Sequence, residues 1–463
     1  MSPWSLRTRF RGFALLALAS QILYAQETIL STKIRLSDWG LKSLSEIQFG
    51  QLSKSTEKEE FRLIVQVLKT EIPARKNYEF RVDTCISRER DEVDRAEKPI
   101  HKVTWIWNTT QLLADTSERK RMVEFLMAER FDRVFLQLPV PKEASDGNSS
   151  IESPGLRALI ASLTSRGISV DALDGDPRWV LPENHSKAAR AIQLVKRYNR
   201  NVRSAEQFLG LHFDIEPYLI PGFGGAKRGW ILEQFLILIK DLSQRALAEG
   251  LPLGIDVPCW FDAPDEFTGE IDSVTLGGLR KPVLEHLLPL VHEVCVMSYR
   301  TDTEGQNGII KLARGELGLA QRLDRRVFVA VETSDLADEQ IFWFRGKSHR
   351  EVPEETGDSH FVVALADQDS ADFFLVRPSE LGQHIHTIER QRDGKVDFIW
   401  WRVRHSVDIP STRLTFARLE RSLLSDAVNR VMREFETCPA FTGIAIHHAA
   451  SYRAVVGGRP QQR

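Results

Sequence analysis

Three ionisable side chains recur at every second position in GLHFDIEPYLIPGF, residues 210–223. They are His212, Asp214 and Glu216. Because successive side chains of a β-strand point to opposite faces, these three share one face. Two neighbouring carboxyl groups resist joint ionisation, so one of them can stay protonated and protonate a leaving oxygen near neutral pH. The spacing therefore predicts acid–base chemistry of the kind that hydrolyses sugars.

The same two-residue period turns other polar side chains inward if the strands close into a barrel. They are Gln137, Asp174, Asp256, Tyr299, Glu332 and His447, each near the C-terminal end of its strand. An unpaired buried carboxylate is costly, so a network of salt bridges and hydrogen bonds explains any single one equally well. The clustering of the whole set at one end of the strands favours a functional cleft.

Tryptophans also fall at or just after predicted strand ends, where their rings could stack on sugars. Core packing is the commoner role of a tryptophan, and it is the alternative for each of them. The residues that we predict to contact a ligand are Trp105, Trp107, Asp174, Trp179, His212, Asp256, Trp260, Arg300 and His447.

Eight short apolar segments alternate with helical segments from His101 onward. The predicted strands are HKVTWIWN, DRVFLQLP, ISVDALDGD, GLHFDIEP, LPLGIDVPCWF, HEVCVMSYR, RRVFVAVETS and FTGIAIHHAASY. This alternation predicts parallel β/α units, and eight of them predict a (β/α)₈ TIM barrel. A doubly wound open sheet is the alternative, but the first strand lacks a glycine-rich phosphate turn and six strands would suffice for it.

The rest of the chain divides into smaller regions. Arginines precede the apolar run GFALLALASQILYA, which is shorter than the roughly 20 residues of a membrane-spanning helix. We therefore expect a cleaved signal peptide and a secreted or periplasmic protein. The predicted organisation is a signal peptide at 1–25, a small β-rich region and linker at 26–100, the barrel at 101–455 with a β-rich insertion at 337–412 after strand seven, and a tail at 456–463.

Composition narrows the class of partner. The net charge is −2, and no basic run is long enough to follow a nucleic-acid backbone. Four cysteines are present, and their spacing matches no zinc motif. Cys259 and Cys295 lie in strand-like segments, which predicts small core residues. We expect a carbohydrate partner, no nucleic acid, no membrane contact after signal cleavage, and no cofactor or metal.

The segments FDIEPY and VMSYR resemble glycoside hydrolase family 18, the chitinase-like barrels, which carry D-x-x-D-x-D-x-E at strand four and M-x-Y-D at strand six. Segment 101–455 also resembles uncharacterised bacterial family-18-like barrels, through ALDGDPRW, VAVETS and FTGIAIHH. The resemblance implies that Glu216 is the general acid. It implies that Asp214 positions the N-acetyl group of the substrate, which itself acts as the nucleophile, and that Tyr299 hydrogen-bonds that group.

This sequence departs from the family pattern at three positions. His212 replaces the middle aspartate of the strand-four motif, and Leu209 replaces the first. Arg300 stands where the strand-six aspartate would be. A barrel with these losses could still bind glycans, so a non-catalytic carbohydrate-binding protein remains an alternative.

Two further enzymatic interpretations remain. IEP at strand four and Glu332 at the end of strand seven are similar to the retaining glycosidase clan A, in which a strand-seven glutamate is the nucleophile, although Ile215 replaces its asparagine. A metal-dependent hydrolase could use His447, His448, Asp174 and His212. Strand one reads WIW and lacks the H-x-H of amidohydrolase barrels, and adjacent histidines of a regular strand cannot both ligate one metal.

Overall fold

The computed structural model describes most of the chain from residue 31 onward. The described residues are 31–39, 41–47, 49–55, 61–66, 100–139, 151–224, 227–264, 271–345, 350, 360–367, 370–391 and 397–457. The predicted signal peptide, the predicted strand NYEFRVDTCI, the linker that follows it and residues 458–463 of the predicted tail lie outside them.

Strands and helices alternate along most of the described chain. The strands are β1 Ser31–Arg35, β2 Phe49–Ser55, β3 Phe61–Gln66, β4 His101–Ile106, β5 Arg133–Gln137, β6 Ser169–Asp174, β7 Gly210–Phe213, β8 Leu253–Pro258, β9 Ser273–Leu276, β10 Leu279–Pro282, β11 Glu293–Met297, β12 Arg326–Glu332, β13 Glu339–Arg345, β14 Phe361–Asp367, β15 Ser370–Val376, β16 Phe398–Ile409 and β17 Phe441–His447. The α-helices are α1 Thr109–Ala114, α2 Thr116–Ala128, α3 Pro154–Thr164, α4 His185–Asn201, α5 Arg228–Ala248, α6 Val283–Leu287, α7 Ile309–Arg322, α8 Pro378–Gln391, α9 Arg421–Phe435 and α10 Ala449–Val456.

Eight parallel strands close into a barrel in the order β4, β5, β6, β7, β8, β11, β12 and β17, with β17 paired back to β4. At least one helix follows each of these strands before the next barrel strand or, after β17, before the end of the described chain. The predicted (β/α)₈ TIM barrel is therefore confirmed. A local signal starts α2 where the sequence predicts, because Asp115 caps it by accepting from the backbone N–H of Ser117 and Glu118 at 2.8 and 3.1 Å.

The barrel interior is apolar in its middle and contains a network of ion pairs nearer the N-terminal ends of the strands. The middle is filled by Val103, Trp105, Phe135, Leu173, Cys295, Phe328, Ala330 and Ala445. Nearer the N-terminal strand ends, the Arg133 guanidinium donates to Asp171 Oδ2 at 2.6 Å and to Glu293 Oε2 at 2.9 Å. Both carboxylates are buried, so this arginine supplies the charge that their burial requires.

The described residues form two compact units, the barrel and a β-rich unit. The β-rich unit is a seven-stranded antiparallel sheet in the order β1, β15, β14, β16, β13, β2 and β3. Strands near the N-terminus and strands of the predicted insertion thus share one sheet, with Gln51 of β2 opposite Trp343 of β13. Helix α8 packs Leu381 and Ile385 against one face of this sheet.

Three insertion strands occur where the sequence predicts them, as β14, β15 and β16. Strand β13, helix α8 and the hairpin of β9 and β10 add elements that the sequence analysis does not identify. Across the described residues, no helix combines the length and the apolar character that crossing a bilayer requires.

Candidate active site

The acidic segment that contains Asp214 and Glu216 begins directly after β7, the fourth strand of the barrel. Strand β7 ends at Phe213, whereas the sequence pattern extends it to Pro217. The Asp214 N–H still donates to the Asp174 carbonyl at 3.0 Å, and Pro217 then begins a short 3₁₀ helix. A Cβ on Gly175 would lie 2.0 Å from the Asp214 carbonyl oxygen, so only glycine allows this close approach. Asp214 is half-buried, whereas Glu216 is only 7% exposed.

Tyr299 marks the point where the acidic side chains converge. It follows β11 and is half-buried. Burial raises the pKa of Tyr299 well above its ordinary value, and the carboxylates of Glu332, Asp256, Asp214 and Glu216 add to this rise. Four carboxylates from β7, β8 and β12 or the residues just after them are therefore within electrostatic range of one phenol. Asp214 and Glu216 of the predicted column are thus near Tyr299.

Glu332 and His447 form a buried pair at the ends of β12 and β17. The His447 Nδ1–H donates to Glu332 Oε2 at 2.9 Å, with Oε1 at 3.1 Å. Glu332 Oε1 also accepts from the backbone N–H of Thr333 and Ser334, at 2.8 and 2.6 Å. Burial works to raise the pKa of Glu332, but the neighbouring His447 ring and these hydrogen bonds bring it below its ordinary value. The carboxylate is thus held ionised inside the barrel.

Two tryptophan N–H groups reach this polar cluster, one from β4 and one from the residue directly after it. The Trp107 Nε1–H donates to His447 Nε2 at 3.1 Å. The Trp105 Nε1–H donates to Asp256 Oδ2 at 3.0 Å. Trp107 keeps part of its surface exposed, but Trp105 is only 1% exposed. Both face the barrel interior, and the burial of Trp105 leaves its face unavailable to a sugar, which corrects the prediction that Trp105 contacts a ligand.

His212 forms a hydrogen bond with Asp256 inside the barrel. Its Nε2–H donates to Asp256 Oδ1 at 3.0 Å, and its ring stacks on Phe135 with the centroids 3.7 Å apart. A Cβ on Gly254 would lie 2.6 Å from His212 Nδ1, so the glycine of β8 makes room for this ring. The ring is fully buried, which corrects the prediction that His212 contacts a ligand.

His212, Asp256 and Cys295 are close enough to hold a metal ion, since their ligand atoms lie within 4.8 Å of one another. All three are buried, and Asp256 already accepts hydrogen bonds from Trp105 and His212. These contacts account for the trio without a metal. Cys295 is a free, buried thiol whose pKa burial raises far above its ordinary value, in agreement with the predicted core role.

Two other predicted contacts lie away from the cluster. Leu173 is in the barrel core and Asp174 pairs with Phe213, so alternation places Asp174 on the outer face of its strand. Its carboxylate accepts from the Gly175 N–H at 2.9 Å. Trp179 is buried and packs edge-on against Phe213, which makes it part of the core. Asp174 therefore lies on the outer face of β6, and Trp179 lies in a short 3₁₀ helix, Pro177–Val180, where its ring packs into the core.

Arg300 and Trp260 lie in the loops that surround the cluster. Arg300 Nη1 donates to the carbonyl oxygen of Tyr299 at 2.7 Å, so its guanidinium braces the backbone that carries the phenol. Trp260 is half-buried and packs edge-on against Phe261. Both follow the C-terminal end of their strands, as predicted.

Glu316 and Asp262 form a second pair of acidic side chains, which the sequence analysis does not identify. Glu316 of α7 is fully buried, and burial raises its pKa well above the ordinary value. Burial likewise raises the pKa of Asp262 to about 6, and each of the two acids affects the pKa of the other. Asp262 Oδ2 occupies the place that a Cβ on Gly315 would take. The pair is a structural contact between α7 and the loop after β8.

A surface depression of about 620 Å³ lies at the opposite end of the barrel. The end of α4 and the segments that lead into β7 and β8 form it, with Lys196, Arg200 and Glu249 among its lining residues. Lys196 and Glu249 form an ion pair. Active sites of such barrels lie at the C-terminal strand ends, so the cluster around Tyr299 is the better candidate.

Comparisons with known proteins give structural likeness at low identity. No family model matches this sequence, and no curated protein matches it. The structure is similar to a chitinase from Chromobacterium violaceum ATCC 12472, with 11% identity, a TM-score of 0.36, and coverage of 78% of this chain and 100% of that chain. It is similar to a GH18 chitinase from Cycas revoluta in complex with (GlcNAc)4, with 12% identity, a TM-score of 0.35, and coverage of 76% and 95%. It is also similar to the Bacillus cereus spore cortex-lytic enzyme SleL, with 9% identity, a TM-score of 0.35, and coverage of 78% and 74%.

Proposed function

We propose that this barrel hydrolyses the glycosidic bonds of a glycan, with Glu216 as the proton donor. The observation that carries the proposal is the convergence of Asp214, Glu216, Asp256 and Glu332 around Tyr299 at the C-terminal strand ends. A nearly buried carboxyl group among other carboxylates is suited to remain protonated until a leaving oxygen needs the proton. Glu216 also acts on the pKa of His447, so it belongs to the same cluster.

Asp214 and Tyr299 are proposed to hold the substrate. Both are half-buried, so they combine a fixed position with an exposed surface. The resemblance to family 18 gives them the N-acetyl group of an amino sugar, whose carbonyl oxygen attacks the anomeric carbon while Glu216 protonates the leaving oxygen. Water then opens the cyclic intermediate and restores the proton to Glu216. Trp107, Trp260 and Arg300 line the approach in this proposal.

Glu332 fits a structural role better than that of a nucleophile. It is 1% exposed, and its oxygens bind two backbone N–H groups and the His447 ring. A nucleophilic carboxylate needs an oxygen lone pair that faces the anomeric carbon. The contacts of Glu332 therefore favour substrate assistance, or inversion with Asp214, over the clan A mechanism.

The test compares the wild-type protein with Glu216→Gln on a panel of glycans that includes chitin oligosaccharides and peptidoglycan fragments. These substrates suit the export that the N-terminal sequence predicts. Glutamine keeps the shape of the side chain and removes its ionisable proton. Glu183→Gln, on an exposed turn, is the matched control.

We expect the Glu216→Gln variant to lose at least about 10²-fold in rate, the contribution of a general acid, while Glu183→Gln stays unchanged. A retained anomer in the product supports substrate assistance, and an inverted one supports Asp214 as base. Equal rates for wild type and Glu216→Gln would refute the assignment of Glu216.

Glycan binding without cleavage is the second candidate. It is favoured by position 212, where the family motif has aspartate and this chain has a histidine bonded to Asp256. Asp214 therefore lacks the acidic neighbour that the motif provides on its own strand. Binding of a glycan by wild type and Glu216→Gln alike, with no product from either, would favour this candidate.

A further inference from the structure

His447 makes two side-chain hydrogen bonds that together fix its protonation. Its Nδ1 is 2.9 Å from Glu332 Oε2, and its Nε2 is 3.1 Å from Trp107 Nε1. A carboxylate only accepts and an indole N–H only donates. Nδ1 must therefore carry the proton and Nε2 must be bare, so the ring is neutral while the Trp107 contact is made.

The charges around His447 favour the opposite state. Burial opposes protonation, but Glu332 of β12, Asp256 of β8 and Glu216 after β7 raise the pKa of His447 above its ordinary value. Tyr299, after β11, stacks on the ring with the centroids 5.9 Å apart. His448 follows His447 directly after β17, and burial lowers its pKa to about 4, so it is neutral near pH 7. Among the residues that the structure describes, the Trp107 N–H is thus the contact that requires a bare Nε2.

Trp107 is also the exposed partner of the three. It keeps part of its surface accessible, whereas Glu332 is 1% exposed and His447 9%. A sugar that reaches the cluster meets the indole before it meets the imidazole. Displacing the indole removes the donor that faces Nε2. The surrounding carboxylates then favour protonation of that nitrogen.

We propose that Trp107 is a hydrogen-bond latch that keeps His447 neutral in the free protein and releases it when a sugar enters. Nε2 then binds one proton from solvent and donates it as a hydrogen bond to a hydroxyl or amide oxygen of the ligand. The ring gains one positive charge beside the Glu332 carboxylate, so the pair becomes neutral overall. The nature of the ligand rests on the proposed function; the latch itself does not.

The latch is tested in the free protein by nuclear magnetic resonance of ¹⁵N-histidine, with His447→Gln to assign the signals. Wild type should show His447 with a protonated Nδ1 and a bare Nε2 at pH 8, where the ring is neutral. Trp107→Phe keeps a ring and removes the donor, and it should shift the His447 midpoint upward by about one pH unit, the order expected for one hydrogen bond. Trp230→Phe, on the exposed start of α5, is the control.

A bare Nδ1 or a protonated Nε2 in wild type at pH 8, or equal midpoints in wild type and Trp107→Phe, would each overturn the latch. The linked uptake is measured by calorimetry with a chitin tetrasaccharide in two buffers of different ionisation enthalpy. Uptake of a proton by wild type and none by His447→Gln supports the linkage, and heats that do not depend on the buffer refute it. A protein that binds no sugar refutes the linkage together with the proposed function, while the resonance experiment still decides the latch.

Discussion

Replacing Arg133 with methionine should strongly destabilise the barrel without touching the candidate site. Arg133 is the central cation of the interior network, with Asp171 Oδ2 at 2.6 Å and Glu293 Oε2 at 2.9 Å. The two carboxylates are 2% and 1% exposed. Methionine fills a similar volume and removes the charge, so both carboxylates lose the cation that they face.

Removing one partner of a buried ion pair costs about 3–5 kcal/mol of unfolding free energy, because an uncompensated charge stays inside. A typical domain has only about 5–15 kcal/mol in total. The control is Arg245→Met, because Arg245 binds Asp241 at 2.7 Å but the two side chains are 48% and 40% exposed. That pair should contribute no more than about 1 kcal/mol. Similar bond lengths with different burial thus predict very different losses.

The pH dependence follows from the same burial. In wild type, burial already raises the pKa of Asp171, although Arg133 opposes the rise. Without Arg133 that pKa rises further, so the folded state binds more protons than the unfolded state near neutral pH. Stability then falls as the pH rises above the ordinary range of an aspartate, and the penalty is smaller in acid.

Urea denaturation followed by circular dichroism at pH 5 and pH 8 measures both effects. We expect Arg133→Met to lose about 3–5 kcal/mol at pH 8 and distinctly less at pH 5. A loss no larger than that of Arg245→Met at pH 8, or a loss that is the same at both values, would refute the reasoning.

Two further predictions concern other buried contacts. Burial raises the pKa of Glu316 well above its ordinary value and that of Asp262 to about 6, so wild-type stability should fall as the pH rises from about 4. Glu316→Gln removes one of the two titrating groups, and urea midpoints at pH 5 and pH 8 should differ less in this variant than in wild type; an equal or larger difference contradicts the prediction. Gly254→Ala places a Cβ 2.6 Å from His212 Nδ1, and because that ring is stacked and hydrogen-bonded it should cost about 1–3 kcal/mol by thermal unfolding. Gly229→Ala meets nothing within 4 Å at the start of α5 and should be neutral or slightly stabilising, so equal losses for the two alanine variants would show that crowding at His212 is not the cause.

The barrel could be predicted from the sequence because burial is encoded locally. Each buried strand carries its own apolar run, and each helix its own period, so eight units are recognisable one by one. The sheet of the β-rich unit could not be predicted in the same way. Its strands come from two distant stretches of the chain, and their pairing, such as Gln51 with Trp343, leaves no local signal.

The sequence indicates which residues lie at the candidate site better than it indicates what each of them does there. The alternation of side chains along a strand correctly predicts that Glu332 and His447 face inward. What such a residue does also depends on how near it lies to the strand end and on which face of the strand it occupies. Trp105 and Trp107 share a face, yet only Trp107 is near enough to the strand end to remain partly exposed. In β6 the inward-facing residue is Leu173, so Asp174, one residue later, lies on the outer face of the strand. The backbone N–H groups that bind Glu332 come from the two residues after it, and composition cannot show their direction.

The shared sheet imposes an order on the folding of the growing chain. Strands β2 and β3 leave the ribosome early and can pair with each other at once. The strand that covers the free edge of β2 follows roughly 300 residues later, which at ordinary rates of synthesis is a delay of about 15–60 s. During that time the edge of β2 offers unpaired N–H and C=O groups to any passing strand. Pairing of that edge waits for β13, so β2 reaches its full native pairing only after seven of the eight barrel strands have been made.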